Sequence, residues 1–301
     1  MKTPVWSKTL KSKALDFFLE PAATTPLAAL RTGLGLCLLV QAYFLRFSAF
    51  DFLSSTGFIQ GDLARLLNNP VLPQISWLLP FLAPLHISEH TCILLVSSFY
   101  VLSLLAFTLN YKTRLATFLV WFLHWVLINT ANSSAYGVDQ YAHIFLFYLM
   151  WAPSGWADSP SSATRLVLRV MQLHLCISYL ASGFDKAHGI QWWNGELLWR
   201  AMNLPVYRQF DMSWLVHWPV VSLLAGWMTL ILEIGYCVFI WPKQTRKFWV
   251  MGMIGLHLGI VFFLGLHLFG IVMVILTATL FGLSPEHKVF KLAPLNIDDK
   301  S

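Results

Sequence analysis

Residues 248–283, FWVMGMIGLHLGIVFFLGLHLFGIVMVILTATLFGL, run for 36 positions without one Asp, Glu, Lys or Arg. A helix crosses a bilayer with about 20 mainly apolar residues, so this stretch is long enough for two crossings. A break near Gly265 divides it into spans at 248–264 and 266–283. Six further apolar runs lie upstream, at 26–46, 91–109, 113–131, 140–153, 166–183 and 213–241. The expected architecture is a single all-α, polytopic integral membrane bundle of about eight transmembrane helices. It comprises a cytoplasmic tail at 1–25, a transmembrane domain at 26–283 and a second cytoplasmic tail at 284–301.

Composition supports the membrane reading. Of 301 residues, 57% are hydrophobic and only 11% charged, where soluble chains carry about 25% charged residues. The same arithmetic excludes a disordered chain, a secreted disulfide scaffold and a nucleic-acid binder. Cys37, Cys92, Cys176 and Cys237 each sit in an apolar run without close mutual spacing, and read as small buried hydrophobes. No cleavable leader is apparent, and the first span is expected to act as its own targeting signal.

Residues 71–85 are apolar too, but Pro70, Pro73, Pro80 and Pro84 bound or interrupt them. Repeated loss of backbone donors favours a re-entrant or interfacial segment over a ninth span. Charge agrees. With eight spans starting inside, Lys2, Lys8, Lys11, Lys13, Lys112, Arg114, Arg165, Arg169, Lys243, Arg246, Lys247, Lys288, Lys291 and Lys300 all fall on the cytoplasmic side. Both termini are then cytoplasmic. Trp192, Trp193, Trp199, Trp214 and Trp218 crowd one external connection, where an interfacial belt belongs, and 194–204 is expected to lie in the membrane plane.

Ionisable residues inside spans are costly and mark candidate functional positions. Asn129, Asn132, Asp139, Gln140 and His143 surround the outer end of spans three and four, with Asp139 and His143 four apart on one helical face. Asp185, Lys186 and His188 end span five, and His267 begins span eight. Arg169, Gln172, Cys176, Tyr179, Gly183 and Lys186 recur at steps of three and four, a polar and small-residue stripe. Such a stripe reads either as a packing seam or as the wall of a site. Lys186 itself is either an ammonium snorkelling to the headgroups or a partly desolvated amine able to act as a base. His143 reads as a hydrogen-bonded core histidine or a functional group, and Asp139 as a helix cap or a pocket wall. Arg31 is expected to snorkel inward, and Glu233 to pair within the bundle. His86, Glu89 and His90 spell H-x-x-E-H, but Pro84 precedes them in a short external loop, so a zinc protease is not expected. His257 and His267 lack a close-spaced ligand pair, and no metal is predicted.

The run R-x-G-L-G-L at Arg31 and the segment 129–151 with G-V-D-Q-Y-A-H resemble the horizontally transferred transmembrane (HTTM) family. So do 172–204, with Y-L-A-S-G-F-D-K and W-W-N-G-E-L-L-W, and 256–281 with L-H-L-G-I. That family is related to the membrane part of vitamin K-dependent gamma-glutamyl carboxylase, and the resemblance covers 26–283. It implies that Lys186 acts as the base toward a reduced vitamin K or menaquinone-type quinone, with oxygen and carbon dioxide as co-substrates. His143 would assist charge or carbon dioxide placement. Asn132, Asp139, Gln140, Tyr179, Asp185, Trp192, Trp193, His257 and His267 would form an outward-facing pocket. Some short members of the family serve maturation of a secreted peptide, so the resemblance also implies a non-catalytic role beside an exported peptide or small membrane partner. Small-solute transport is a third class. A bacterial cytoplasmic (inner) membrane is the implied location.

Overall fold

The computed structural model describes residues 5–59, 71–132, 134–153 and 159–283. Its long helices are α1 (Val5–Leu19), α2 (Thr25–Leu45), α3 (Glu89–Thr108), α4 (Thr113–Thr130), α5 (Gly137–Met150), α6 (Ser162–His188), α7 (Pro219–Phe239), α8 (Lys243–Leu264) and α9 (His267–Thr277), the last continued by a π turn at Ala278–Gly282. Over the described residues the protein is an all-helical membrane bundle. Among the described residues, five helices, α2, α3, α6, α7 and α8, are long and apolar enough to cross a bilayer by themselves. The other three expected spans coincide with α4, α5 and α9, of 18, 14 and 11 residues.

Local chemistry explains where the boundaries moved. The Ser161 hydroxyl accepts from the Thr164 amide at 3.1 Å, which starts α6 four residues before the expected span. The expected 213–241 span is divided into a 3₁₀ turn at Ser213–His217 and a helix opened by Pro219, a residue pre-set for the first helical turn. Between α8 and α9 the chain reverses at Gly265, whose φ of 68° is left-handed and falls where the sequence asked for a break. Residues 71–85 form only short pieces, Ile75–Trp77, Leu79–Leu82 and Ala83–Leu85. The final 284–301 segment lies outside the described residues.

The core lies among α2, α3, α4, α5 and α6. Leu27, Leu30, Leu34, Leu104, Phe107, Val120, Phe145, Leu146, Met171 and Leu175 are all buried there. The segment before span one is more than a tail. It contains α1, which packs on α6, and residues Ala22 and Ser161 exchange backbone hydrogen bonds at 3.2 and 3.1 Å.

Arginines close the carbonyl ends of these helices. The last carbonyls of a helix have no partner within it, and a guanidinium supplies both donors and a charge of the right sign. Arg165 Nε donates to Glu20 O at 2.7 Å and Arg169 Nε to Phe17 O at 3.0 Å, at the end of α1. Arg246 Nη2 donates to Trp241 O at 2.7 Å, just past α7. Arg31, expected to snorkel, is instead fully buried and donates to Pro153 O at 2.8 Å beyond α5. Replacing Arg31 with Met is expected to lower unfolding free energy in detergent by about 1–3 kcal/mol, because buried carbonyls lose their donor. The exposed Arg114→Met should change it by no more than about 0.5 kcal/mol. Parallel thermal or denaturant unfolding of the two variants measures the difference.

Candidate functional site

Lys186 stands one turn beyond Gly183 on the face of α6 that meets α7. A Cβ on Gly183 would fall 2.7 Å from Ile234 Cγ1 and 3.1 Å from Glu233 Cβ, so the missing side chain lets the two helices close. This brings Glu233 Oε2 to 2.8 Å from Lys186 Nζ. The Lys186 side chain is 23% exposed and that of Glu233 only 6%. Lys186 Nζ also donates back to Ser182 Oγ on the preceding turn. The amine therefore turns along its own helix into the bundle and does not reach out to the headgroups.

The aromatic connection covers the ion pair. Trp192 places its ring 5.6 Å from Lys186 Nζ, within range of a cation–π attraction. Trp193 Nε1 donates to Ala187 O at 2.8 Å, and Trp227 Nε1 to Trp193 O at 3.0 Å. These bonds hold the connection against the ends of α6 and α7. A second polar layer continues the α6 face. Tyr179 Oη lies 2.9 Å from His257 Nε2 and 3.4 Å from Thr277 Oγ1, and its ring stands 4.6 Å from that of Tyr236. Helices α6 to α9 thus all contribute: α6 gives Tyr179 and Lys186, α7 Glu233, α8 His257 and α9 Thr277.

Asp139 and His143 belong to a different cluster. Asp139 is buried and caps α5, accepting from Tyr136 N at 3.0 Å and from Gln41 Nε2 at 2.7 Å. Tyr136, just outside the helix, has its phenol pushed above the ordinary range by partial burial and then by the Asp139 charge. His124 bridges Tyr100 Oη, at 3.0 Å from Nδ1, and Asp139 O, at 3.3 Å from Nε2. A carbonyl can only accept, so Nε2 carries the proton and Nδ1 accepts from Tyr100. His143 stacks on Trp121 with ring centroids 5.3 Å apart, beside Trp125 and His124 at 5.9 and 6.1 Å.

The residues expected to share one outward pocket fall into two contact groups. Lys186, Tyr179, Trp192 and His257 come together. Asp139 and His143 share the other cluster, and among the described residues no hydrogen bond or ring contact joins His143 to Lys186. Asn132, Gln140, Asp185, Trp193 and His267 are exposed. Asp185, the sequence neighbour of Lys186, is not its partner; Glu233 is. Glu233, Ser182 and Thr277 were absent from the expected site. Glu233 had a signal, being the one charged residue in Pro219–Phe239. The H-x-x-E-H run is spent on packing: Glu89 accepts from Ser55 N and Oγ at 2.8 and 2.7 Å, and His90 stacks on Phe50 at 4.0 Å. Among the described residues, no group of three or more His, Cys, Asp or Glu side chains could hold a metal ion.

No family model, curated protein or solved structure matches this chain.

Gly183→Leu is expected to force Glu233 and Ile234 away from α6, costing about 1–3 kcal/mol of stability as an overpacked seam does. Released from Glu233, Lys186 should react faster with an amine-directed reagent. Mass spectrometry of the labelled peptide, read beside the unfolding curve, checks both.

Proposed function

We propose that this protein is a membrane enzyme of the HTTM family, with carboxylase- or epoxidase-like chemistry on a reduced quinone, in which Lys186 is the base. The supporting observation is the Lys186–Glu233 pair, 2.8 Å apart, with the Trp192 ring 5.6 Å from the amine. Two opposite charges removed from water are expensive to keep, and intramembrane ionisable groups that persist tend to be functional. Glu233 also supplies what a lysine base needs. Lys186 can pass its ammonium proton to Glu233 Oε2, and the neutral amine can then take a proton from a quinol hydroxyl entering beneath Trp192. Tyr179, held by His257 and Thr277, lies about two turns inward on the same face of α6. Oxygen and carbon dioxide are the co-substrates in this reading. His143, in its tryptophan cage, is given no step with Lys186.

The topology proposed with it has eight spans, α2 to α9, and both ends cytoplasmic, in a bacterial cytoplasmic membrane. Support comes from the arginines Arg31, Arg165, Arg169 and Arg246, which all cap helices at one end of the bundle, while the tryptophan connection lies at the other. Cysteines introduced at Ser12 and at Ser213 should be labelled from opposite sides of sealed vesicles by an impermeant thiol reagent. Labelling of both from one side contradicts the topology.

A second reading has its own support. Lys186 is already occupied by Glu233, Ser182 and Trp192, as in a packing seam, which suits a non-catalytic partner for an exported peptide. Turnover separates the two. Incubated in lipid discs with reduced menaquinone and oxygen, the enzyme should form an oxygenated quinone product detectable by mass spectrometry, and Lys186→Ala should lower its rate at least about 100-fold. A folded wild-type protein that forms no product supports the partner reading instead.

A further inference from the structure

Three arginines gather where α1 docks, and the site above uses none of them. Arg165 and Arg169 lie one turn apart on α6, and Arg246 stands in the opening turn of α8. Arg165 and Arg246 are both close enough to Arg169 to repel it, and Glu20 is the carboxylate that opposes them there. Their hydrogen-bond acceptors are neutral. Arg165 Nε uses Glu20 O, Arg169 uses Phe17 O and Gln172 Oε1, and Arg246 uses Ile240 O and Trp241 O. A carbonyl satisfies a donor without cancelling the charge. Both Nη atoms of Arg165, Nη2 of Arg169 and Nη1 of Arg246 keep donors beyond these bonds.

The charges are also fixed in place. The Arg169 guanidinium lies 4.1 Å from the Phe17 ring centre and 5.4 Å from that of Trp241. Forked donors held at a membrane surface match the oxygens of a phosphodiester, and basic pockets between helices suit anionic lipid headgroups. An independent feature adjoins them. A groove of about 370 Å³ runs along the outside of α7 and α8, lined by Trp227, Ile231, Ile234, Phe239 and Trp249, with Trp193 beside Trp227 at one end. Trp249 is three residues from Arg246, and Phe239 directly precedes the carbonyl of Ile240 that Arg246 holds. The wall is apolar, and from Trp227 to Phe239 it extends roughly 18 Å along the helix, the reach of an acyl chain.

We infer that Arg165, Arg169 and Arg246 bind the phosphodiester headgroup of one anionic phospholipid, with an acyl chain seated in the α7–α8 groove. Placing the site on the cytoplasmic leaflet rests on the topology proposed above; the binding itself does not. The test is native mass spectrometry of the full chain in zwitterionic detergent, titrated with dioleoyl-phosphatidylglycerol, dioleoyl-phosphatidylcholine, dihexanoyl-phosphatidylglycerol or inorganic phosphate. One phosphatidylglycerol should be retained at concentrations where phosphatidylcholine is not. The Arg169→Gln and Arg246→Gln pair should weaken it about 25-fold, at about fivefold per arginine. Exposed Lys243→Gln with Lys247→Gln should change it less than about twofold, being outside the cluster. The short-chain lipid should bind at least about tenfold more weakly, since it leaves the groove unfilled. Equal retention of phosphatidylglycerol and phosphatidylcholine by wild-type protein overturns the site, whatever the variants do. Equal loss in the lysine variant reduces it to general surface charge, and binding of inorganic phosphate as tight as of the lipid overturns the lipid assignment.

Discussion

An ammonium and a carboxylate 2.8 Å apart inside a membrane bundle cannot be separated cheaply, and the arrangement of α6 to α9 follows from keeping them together. Each ion alone would face a desolvation cost of several kcal/mol that the other chiefly offsets. The pair therefore demands close helices, and Gly183 provides the approach on the α6 side. Helix α7 is then fixed at the height where Tyr236 meets Tyr179, and Tyr179 in turn engages α8 and α9 through His257 and Thr277. The tryptophan connection completes the site by limiting water at the amine, leaving Lys186 less than a quarter exposed.

The opposite end of the bundle solves a different problem with the other cations. Helices that stop near a membrane surface leave carbonyls without donors, and here arginines from neighbouring elements supply them. One consequence is that α1, α5 and α7 are tied to the helix that follows or faces them by side chain to backbone bonds, which do not depend on matching side-chain shapes. Charge thus performs two tasks, pairing inside the bundle and capping helix ends at its edge.

Much of this was legible beforehand because span length and charge distribution are properties of runs of residues. The division at Gly265, the broken 71–85 segment and the i, i+3, i+4 stripe ending at Lys186 could all be read from spacing alone. The pairing was not. Asp185 sits beside Lys186 in sequence but faces outward, since adjacent residues on a helix point about 100° apart, while Glu233 lies 47 positions away. Asp139 and His143 were grouped with Lys186 because the expected topology put all three at one depth, yet depth says nothing about which neighbours a helix has around the bundle. Arg31 was misjudged for a related reason: its partner, the Pro153 carbonyl, belongs to a distant helix end with no side-chain signature.

Lys186 and Glu233 stabilise the bundle as a pair and not as two separate residues. A double-mutant cycle with Lys186→Met and Glu233→Leu, followed by reversible unfolding in detergent, tests it most directly. Each single change should lower stability by about 2 kcal/mol, with the double variant recovering most of the loss because no unpaired charge remains. Additive losses, with the double variant the least stable, would contradict the pairing.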